Sequence, residues 1–296
     1  MLPSLLCPKC GSTLRDIPTI GYPPLLFKKC RRRCDPCGVG YSNARKNPVL
    51  IYEKFEDSIP KDVRNGLSAA LSRTFNIANQ FSKRENFCSE HSEDAVTWTI
   101  FKYMMMDPLL PGSFPAKVAK FSVGVDSEVL LWGAPITTIN HDARASFIKA
   151  STIVGEKANY RTEPDVIMDY GKYGLIFIEC KYLSPNSIKP PMFKGWDKYD
   201  SPQYFKNFAN VRQGGLYQLT RMWRMGNEMA ENRPFTLINI VRKSDLAHVQ
   251  AYNRIHFGDL IQRRRSSRFI TIPWDTILDF FDSSWAVHHY ASIKDL

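Results

Sequence analysis

Hydrophobic positions are sparse at the start of the chain and become periodic after it. Residues 1–50 hold few long apolar runs and many Cys, Pro and Gly. A segment of that size needs a staple, because it cannot build a core alone. Over 58–83 the pattern is helical. Ser58 can cap it, Pro60 falls in its first turn, and Val63, Leu67, Leu71 and Phe75 recur at i+4. A second helix is predicted over 92–105, with Val96, Ile100 and Met104 on one side. Short strand-type runs follow at 129–132, 165–169 and 175–182. The last two are joined by Tyr170-Gly171-Lys172-Tyr173-Gly174, which reads as a hairpin turn. A long helix is predicted from Ser201-Pro202 to about Met229. Gly214-Gly215 in its middle marks either a close backbone approach or a break between two helices. Residues 235–241 are apolar nearly throughout and read as a central strand. A helix over 245–261, a strand over 269–272 and a helix from Pro273 through Leu278 and Phe281 complete the pattern. The order of helix, three strands, helix and strand is that of a mixed α/β protein.

Composition narrows the class. A chain of 296 residues with 44% hydrophobic and 12% aromatic residues can bury a real core, which excludes a mostly disordered protein. No run of 18 apolar residues is present, so no membrane span is expected. The start, MLPSLLCPKCGSTL, lacks a basic n-region and a long apolar stretch, so a cytoplasmic protein is expected. Gly-x4-Gly-Lys-Ser/Thr and Gly-x-Ser-x-Gly are both missing, so neither ATP hydrolysis nor serine-hydrolase chemistry is expected.

Charge points to a partner. Residues 1–50 carry nine basic and two acidic side chains, which is +7 of the chain's +11. A small basic module suits a polyanion such as nucleic acid. Lys28, Lys29, Arg31, Arg32 and Arg33 are the expected phosphate contacts.

Five of the seven cysteines lie before residue 38. An odd, crowded set suits metal binding better than a disulfide framework. Cys7-x2-Cys10-Gly11 and Cys34-x2-Cys37-Gly38 are matching half-sites. Each pair brings two sulfurs to one ion, and the Gly lets the backbone bend back toward them. Four thiolates make a closed structural Zn²⁺ site that resembles a zinc ribbon. Cys30 reads as a bystander thiol, with ligand exchange against Cys34 as the alternative.

The main domain holds Glu163-Pro164-Asp165 and, after thirteen intervening residues, Glu179-Cys180-Lys181. Side chains alternate on a strand, so Glu179 and Lys181 share a face while Ile176, Ile178 and Cys180 take the other. A hairpin partner can bring Asp165 beside Glu179. Two carboxylates at one place repel unless a cation intervenes, and Mg²⁺ suits oxygen ligands while keeping waters for chemistry. With Lys181 to orient a water, the set fits metal-assisted phosphodiester hydrolysis.

Pro164-Asp165 followed by Glu179-x-Lys181 resembles the PD-(D/E)XK nuclease motif. The resemblance implies a restriction-endonuclease-like αβββαβ core. It implies that Asp165, Glu179 and the Cys180 carbonyl bind Mg²⁺ (or Mn²⁺) and that Lys181 assists the attacking water. Many members add an acid on the first core helix. Glu93 is the inward candidate for that role, with Glu90 and Asp94 as alternatives. Gln213-x-x-x-Tyr217 is similar to the helical pair of the RecB-type branch, with Arg221 and Arg224 continuing that face toward phosphate. The expected organisation is a zinc ribbon over 1–50, a helical linker over 51–84 and a nuclease domain over 85–296 ending in a helical extension. The expected activity is Mg²⁺-dependent DNA endonuclease. An RNA nuclease and a non-catalytic zinc-ribbon nucleic-acid-binding protein are the alternatives. Self-association or partner proteins of a nuclease complex are compatible with either.

Overall fold

The computed structural model describes residues 2–17, 26–106, 113–119, 126–183, 186–244, 256–262 and 266–279. Two short antiparallel sheets form the N-terminal module. Strands β1 (Leu5–Leu6) and β2 (Thr13–Leu14) make one, and β3 (Arg32–Cys34), β4 (Val39–Tyr41) and β5 (Leu50–Tyr52) make the other. Strand β5 ties the module to the segment just before the first core helix. The Tyr52 amide donates to the Cys88 carbonyl at 2.7 Å, and the Glu90 amide to the Leu50 carbonyl at 3.0 Å.

The stretch 58–83 is not one helix. It contains a 3-10 turn, helix α1 (Leu67–Leu71), a second 3-10 turn and the start of α2 (Gln80–Phe87). Gly66 at φ +86° ends the first turn. Phe75 leaves the helical path because its amide donates to the Trp132 carbonyl at 2.8 Å. Val63, Leu67, Leu71 and Phe75 are all buried, but Phe75 packs on the opposite side of the main sheet from the other three. One helix cannot serve both sides. The same burial makes 51–84 part of the main core rather than a free linker.

Helix α3 (Glu93–Met106) starts where the Ser92 hydroxyl accepts from the Ala95 amide at 3.1 Å. Strands β6 (Glu128–Leu131) and β7 (Ala134–Pro135) follow, then helix α4 (Ala143–Ile153), β8 (Val166–Asp169) and β9 (Leu175–Cys180). Pattern reading missed α4, whose buried face is built largely of small residues: Ala143, Phe147, Ala150 and Ser151. Its first turn is satisfied from a distant strand, since Glu128 accepts from the His141 and Ala143 amides at 2.6 and 3.0 Å.

The helix expected over 201–229 is two helices, α5 (Phe208–Gly214) and α6 (Tyr217–Ala230). Gly215 at φ +70° separates them. Strand β10 (Phe235–Val241), helix α7 (Phe257–Leu260), strand β11 (Ser267–Pro273) and helix α8 (Trp274–Leu278) close the described chain. Most of the helix expected over 245–261, and Phe281, lie outside the described residues.

The central sheet is six-stranded and mixed, in the order β11-β10-β9-β8-β6-β7. Neighbours from β7 to β9 run antiparallel, while β9, β10 and β11 run parallel. Helices α1, α3 and α8 pack on one face, and α4, α5, α6 and α7 on the other. Among the described residues no helix is long and apolar enough to cross a membrane.

One buried carboxylate locks the second helical layer. Glu156 accepts from Ser151 Oγ at 3.1 Å, the Thr162 amide at 2.8 Å, Thr162 Oγ1 and the Tyr199 hydroxyl. Arg221 approaches it at 3.5 Å and donates to Thr162 Oγ1 at 2.9 Å. Burial works to raise the Glu156 pKa, but Arg221, Thr162 and Tyr199 outweigh it and hold it below the usual value. A depressed carboxylate pKa gives stability above its unfolded-state pKa, lost as pH falls through the folded one. Glu156→Gln is therefore expected to lower stability by about 2–4 kcal/mol at neutral pH. Denaturant melts across pH should show the gap to wild type closing below about pH 4.

Candidate active site and metal centre

The candidate active site lies at the carboxyl ends of β9 and β10. The β8–β9 register sets Val166 opposite Ile178, which brings Asp165 to the level of Glu179. Asp165 Oδ2 accepts from the Cys180 amide at 2.8 Å. The Cys180 side chain is fully buried in the core beside Ile176 and Ile178, so only its backbone faces the site. Lys181 continues the β9–β10 ladder, with its amide 2.8 Å from the Ile240 carbonyl. Its own carbonyl accepts from Trp274 Nε1 at 3.0 Å. With its backbone pinned on both sides, Lys181 sends its ammonium 2.6 Å from Glu179 Oε1 and 3.0 Å from Glu93 Oε1. Glu179 is 2% exposed and Lys181 6%.

The three acids around the start of α3 have different partners. Glu93 Oε2 accepts from the Tyr182 amide at 3.0 Å, so both of its oxygens serve the site. Glu90 instead accepts from the Leu50 amide at 2.7 Å, and Asp94 pairs with Lys83 at 2.8 Å. In this arrangement Glu93 holds Lys181, rather than standing free as a metal ligand.

Two partners of the site escaped the sequence reading. Lys83 on α2 sits 2.8 Å from Asp94, 3.1 Å from Glu163 and 4.5 Å over the Trp132 ring. It joins the first turn of α3 to the Glu163-Pro164-Asp165 segment. Its contacts span up to 80 residues, and no local pattern announces them. Asn239 on β10 stands opposite Glu179 in the parallel register. Its signal was a lone amide inside an apolar strand.

The electrostatics are unbalanced. Glu93, Asp94, Glu163, Asp165 and Glu179 meet only Lys83 and Lys181 among these paired groups. Burial, then the Glu179 charge, pushes the Asp165 pKa well above its usual value. Burial also raises Glu93, against the pull of Lys181. Lys181 is held well above the ordinary lysine value: burial opposes its charge, but Glu179, Glu93 and Asp165 outweigh that. A half-buried surplus of carboxylate is relieved by protons or by a cation. Asp165 and Glu179 are the carboxylates beside which such a cation could be held. Glu93, Asp165 and Glu179 are not gathered around one point, and the Lys181 ammonium pairs with both Glu93 and Glu179.

Gln213 and Tyr217 do not share a helix face. The Gly215 break puts Gln213 on α5, exposed, and Tyr217 at the start of α6. The Tyr217 hydroxyl donates to the Gly195 carbonyl at 3.2 Å, and its ring packs on Trp196 and Tyr199. Arg221 is occupied by Glu156 and Thr162, and Arg224 by Glu228 and the Tyr204 ring. Both arginines brace the fold instead of presenting a free phosphate-binding edge.

The candidate metal centre is in the N-terminal module. The sulfurs of Cys7, Cys10, Cys34 and Cys37 lie within 4.8 Å of one another, close enough to share one metal ion. Among the described residues no other set of three or more Cys, His, Asp or Glu meets that proximity. Gly11 at φ +74° and Gly38 at φ +62° turn the chain behind each pair, as their positions predicted. The Ser12 hydroxyl and amide stabilise the Cys10 thiolate and bring its pKa down to about 6. Cys30 stays outside the group, with its sulfur 3.7 Å from the Leu26 carbonyl, and burial pushes it up to about 11.

The basic cluster divides. Arg32 is 0% exposed and donates to the carbonyls of Pro3, Ser42 and Ala44 at 3.1, 2.7 and 2.8 Å. Its expected phosphate role gives way to tying the module together, since a buried guanidinium must be satisfied internally. Arg31 pairs with Asp16 at 2.7 Å and Arg33 with Asp35 at 2.9 Å. Lys28 and Lys29 are exposed. Arg32→Ala is expected to destabilise the module by about 3 kcal/mol, because three carbonyls lose their donor. Lys28→Ala is expected to leave thermal melts unchanged.

Comparison of the chain with family models, curated proteins and solved structures finds no match.

Proposed function

We propose that this protein is a Mg²⁺-dependent nuclease that cleaves DNA, with a PD-(D/E)XK-type centre on a restriction-endonuclease-like core and a Zn²⁺-bound N-terminal ribbon. The observation that carries the reading is the meeting of Asp165, Glu179 and Lys181 at one end of the central sheet. The order α3, β6, β8, β9, α6, β10 supports it, with β7 and α4 inserted after β6 and α5 before α6, and with three antiparallel strands and a fourth parallel to β9. In this reading Asp165, Glu179 and the Cys180 carbonyl would hold Mg²⁺. Mg²⁺ supplies Lewis acidity toward a phosphoryl oxygen and lowers the pKa of a water. Lys181 orients the attacking water and offers positive charge where the phosphate gains negative charge. Glu93 holds Lys181 in place, and Lys83 holds the segment that carries Asp165.

Cys7, Cys10, Cys34 and Cys37 hold Zn²⁺ as a structural ion. The ribbon sits close to the site, because β5 is bonded to residues 88–90. A cleft of about 360 Å³ opens there, lined by Val49 of the module and by Ser92, Glu93 and Asp94. Lys28 and Lys29 then add phosphate contacts that bind without reading sequence. Incubation with plasmid, linear duplex, single-stranded DNA and RNA tests the reading. Duplex DNA should be cut with Mg²⁺ and left intact with EDTA. Cleavage of RNA alone would make this an RNA nuclease. Binding without cleavage of any of the four would contradict an enzyme and leave a nucleic-acid-binding protein.

A further inference from the structure

Strand β10 is apolar along most of its length, yet Asn239 sits inside it at 0% exposure. In the parallel registers it is flanked by Glu179 on β9 and Thr271 on β11. Side chains at matched positions of neighbouring parallel strands project from the same face, so Asn239 shares the face of Glu179. Buried Asn186 donates from Nδ2 to Asn239 Oδ1 at 3.3 Å. Among the described residues, Asn239 Nδ2 and Asn186 Oδ1 then have no hydrogen-bond partner. The result does not depend on how the two amides are oriented. Reversing both swaps which residue gives and which accepts, and one donor and one acceptor are still left over. Native proteins rarely bury such groups unsatisfied, and each case calls for an explanation.

We propose that Asn186 and Asn239 hold a buried water that fixes the carboxylate of Glu179. A single water answers both orphans, accepting from the free amide N–H and donating to the free amide carbonyl. Its second hydrogen goes to Glu179, the carboxylate beside Asn239 in register. The three bonds are the usual complement of a buried water. Lys181 holds Glu179 Oε1 from one side at 2.6 Å, and the water holds the carboxylate from the other. The amide pair is thus a positioning device for a metal ligand. Partners of this kind orient the ligand and tune its affinity for the ion. Their neutrality fits the place, since another charge would either repel Glu179 or compete with the cation for it.

This inference rests on the reading of Glu179 as a cation ligand, so the test includes that reading as a control. Mn²⁺ binding to the full chain is followed by electron paramagnetic resonance for wild type, Glu179→Gln, Asn239→Leu and Asn186→Ala, with a thermal melt of each. Wild type should bind Mn²⁺ at this site and Glu179→Gln should lose that binding. Asn239→Leu and Asn186→Ala should each bind about tenfold more weakly while their melts stay close to wild type. Asn186→Ala, outside the strand, keeps the test open where Asn239→Leu fails to fold. Wild-type affinity in a folded Asn variant, with binding lost in Glu179→Gln, would overturn the water-holding pair alone. Lowered melts with unchanged affinity would do the same and leave the amides a packing role. Full binding in Glu179→Gln would overturn the reading of Glu179 and the inference with it.

Discussion

Replacing Asp165, Glu179 or Lys181 by Ala is expected to lower Mg²⁺-dependent cleavage by about 10³-fold or more, a loss of about 4 kcal/mol of transition-state stabilisation. DNA binding should persist in all three, because the expected phosphate contacts lie elsewhere. The first two changes remove metal ligands, and the third leaves the water without its orienting ammonium. Effects of the three should not add, since each disables the same unit. Stability should move the other way for one of them. A carboxylate whose folded pKa is raised contributes stability below its unfolded pKa and loses it as pH rises through the folded one. The Asp165 pKa is raised, first by burial and then by Glu179. At neutral pH without Mg²⁺, Asp165→Asn should therefore be at least as stable as wild type. The advantage should shrink as pH falls toward the ordinary Asp range. Glu93→Ala should slow cleavage more than Glu90→Ala, because of these two Glu93 is the one that touches Lys181, while Glu90 braces β5.

Removing Zn²⁺ is expected to unfold the N-terminal module. Structural zinc sites of this kind contribute about 10 kcal/mol or more of apparent binding free energy, which is folding free energy for a segment with little core of its own. The module's apolar clusters are small: Cys7, Leu14, Cys34 and Val39 in one, and Phe27, Cys30 and Ile51 in the other. Elemental measurement should find one Zn²⁺ per chain, and Cys10→Ser should lose it. Hydrogen exchange should then rise across β1 to β4 while β8, β9 and β10 stay protected, because the main sheet has two extensive cores of its own. Protection of the Glu90 amide should fall as well, since it donates to the Leu50 carbonyl on β5. A chain free of zinc with an intact module would overturn the assignment.

What the sequence disclosed is what repeats at short range. The alternation of Ile176, Ile178 and Cys180 against Glu179 and Lys181 is a two-residue period, and the strand keeps it. The two Cys-x-x-Cys-Gly knuckles are local turns, and both glycines adopt the left-handed backbone their positions require. Strand β10 matches its apolar run to the residue. What stayed hidden depends on partners far along the chain. Arg32 reads as a surface charge in a basic run, yet three distant carbonyls draw it inside. Lys83 gains its role from Asp94 and Glu163, and α4 gains its cap from Glu128. The first overlong helix failed at Gly66, where a periodic apolar stripe says nothing of a turn to positive φ, while at Gly215 the break offered as one reading of Gly214-Gly215 is the one the chain adopts. The Gln213–Tyr217 pair was lost with that break, because its geometry assumed one helix.

The most direct test is the rate of plasmid cleavage over a Mg²⁺ titration, for wild type and Glu179→Gln side by side. Gln keeps the size and most of the packing of Glu179 while removing the charge that holds a cation. Wild type should show no cleavage without Mg²⁺ and a rate that saturates as Mg²⁺ rises, while Glu179→Gln, still folded by circular dichroism, stays at background throughout. Cleavage by Glu179→Gln at the wild-type rate, or wild-type cleavage that persists in EDTA, would contradict a metal-dependent nuclease centre at Asp165, Glu179 and Lys181.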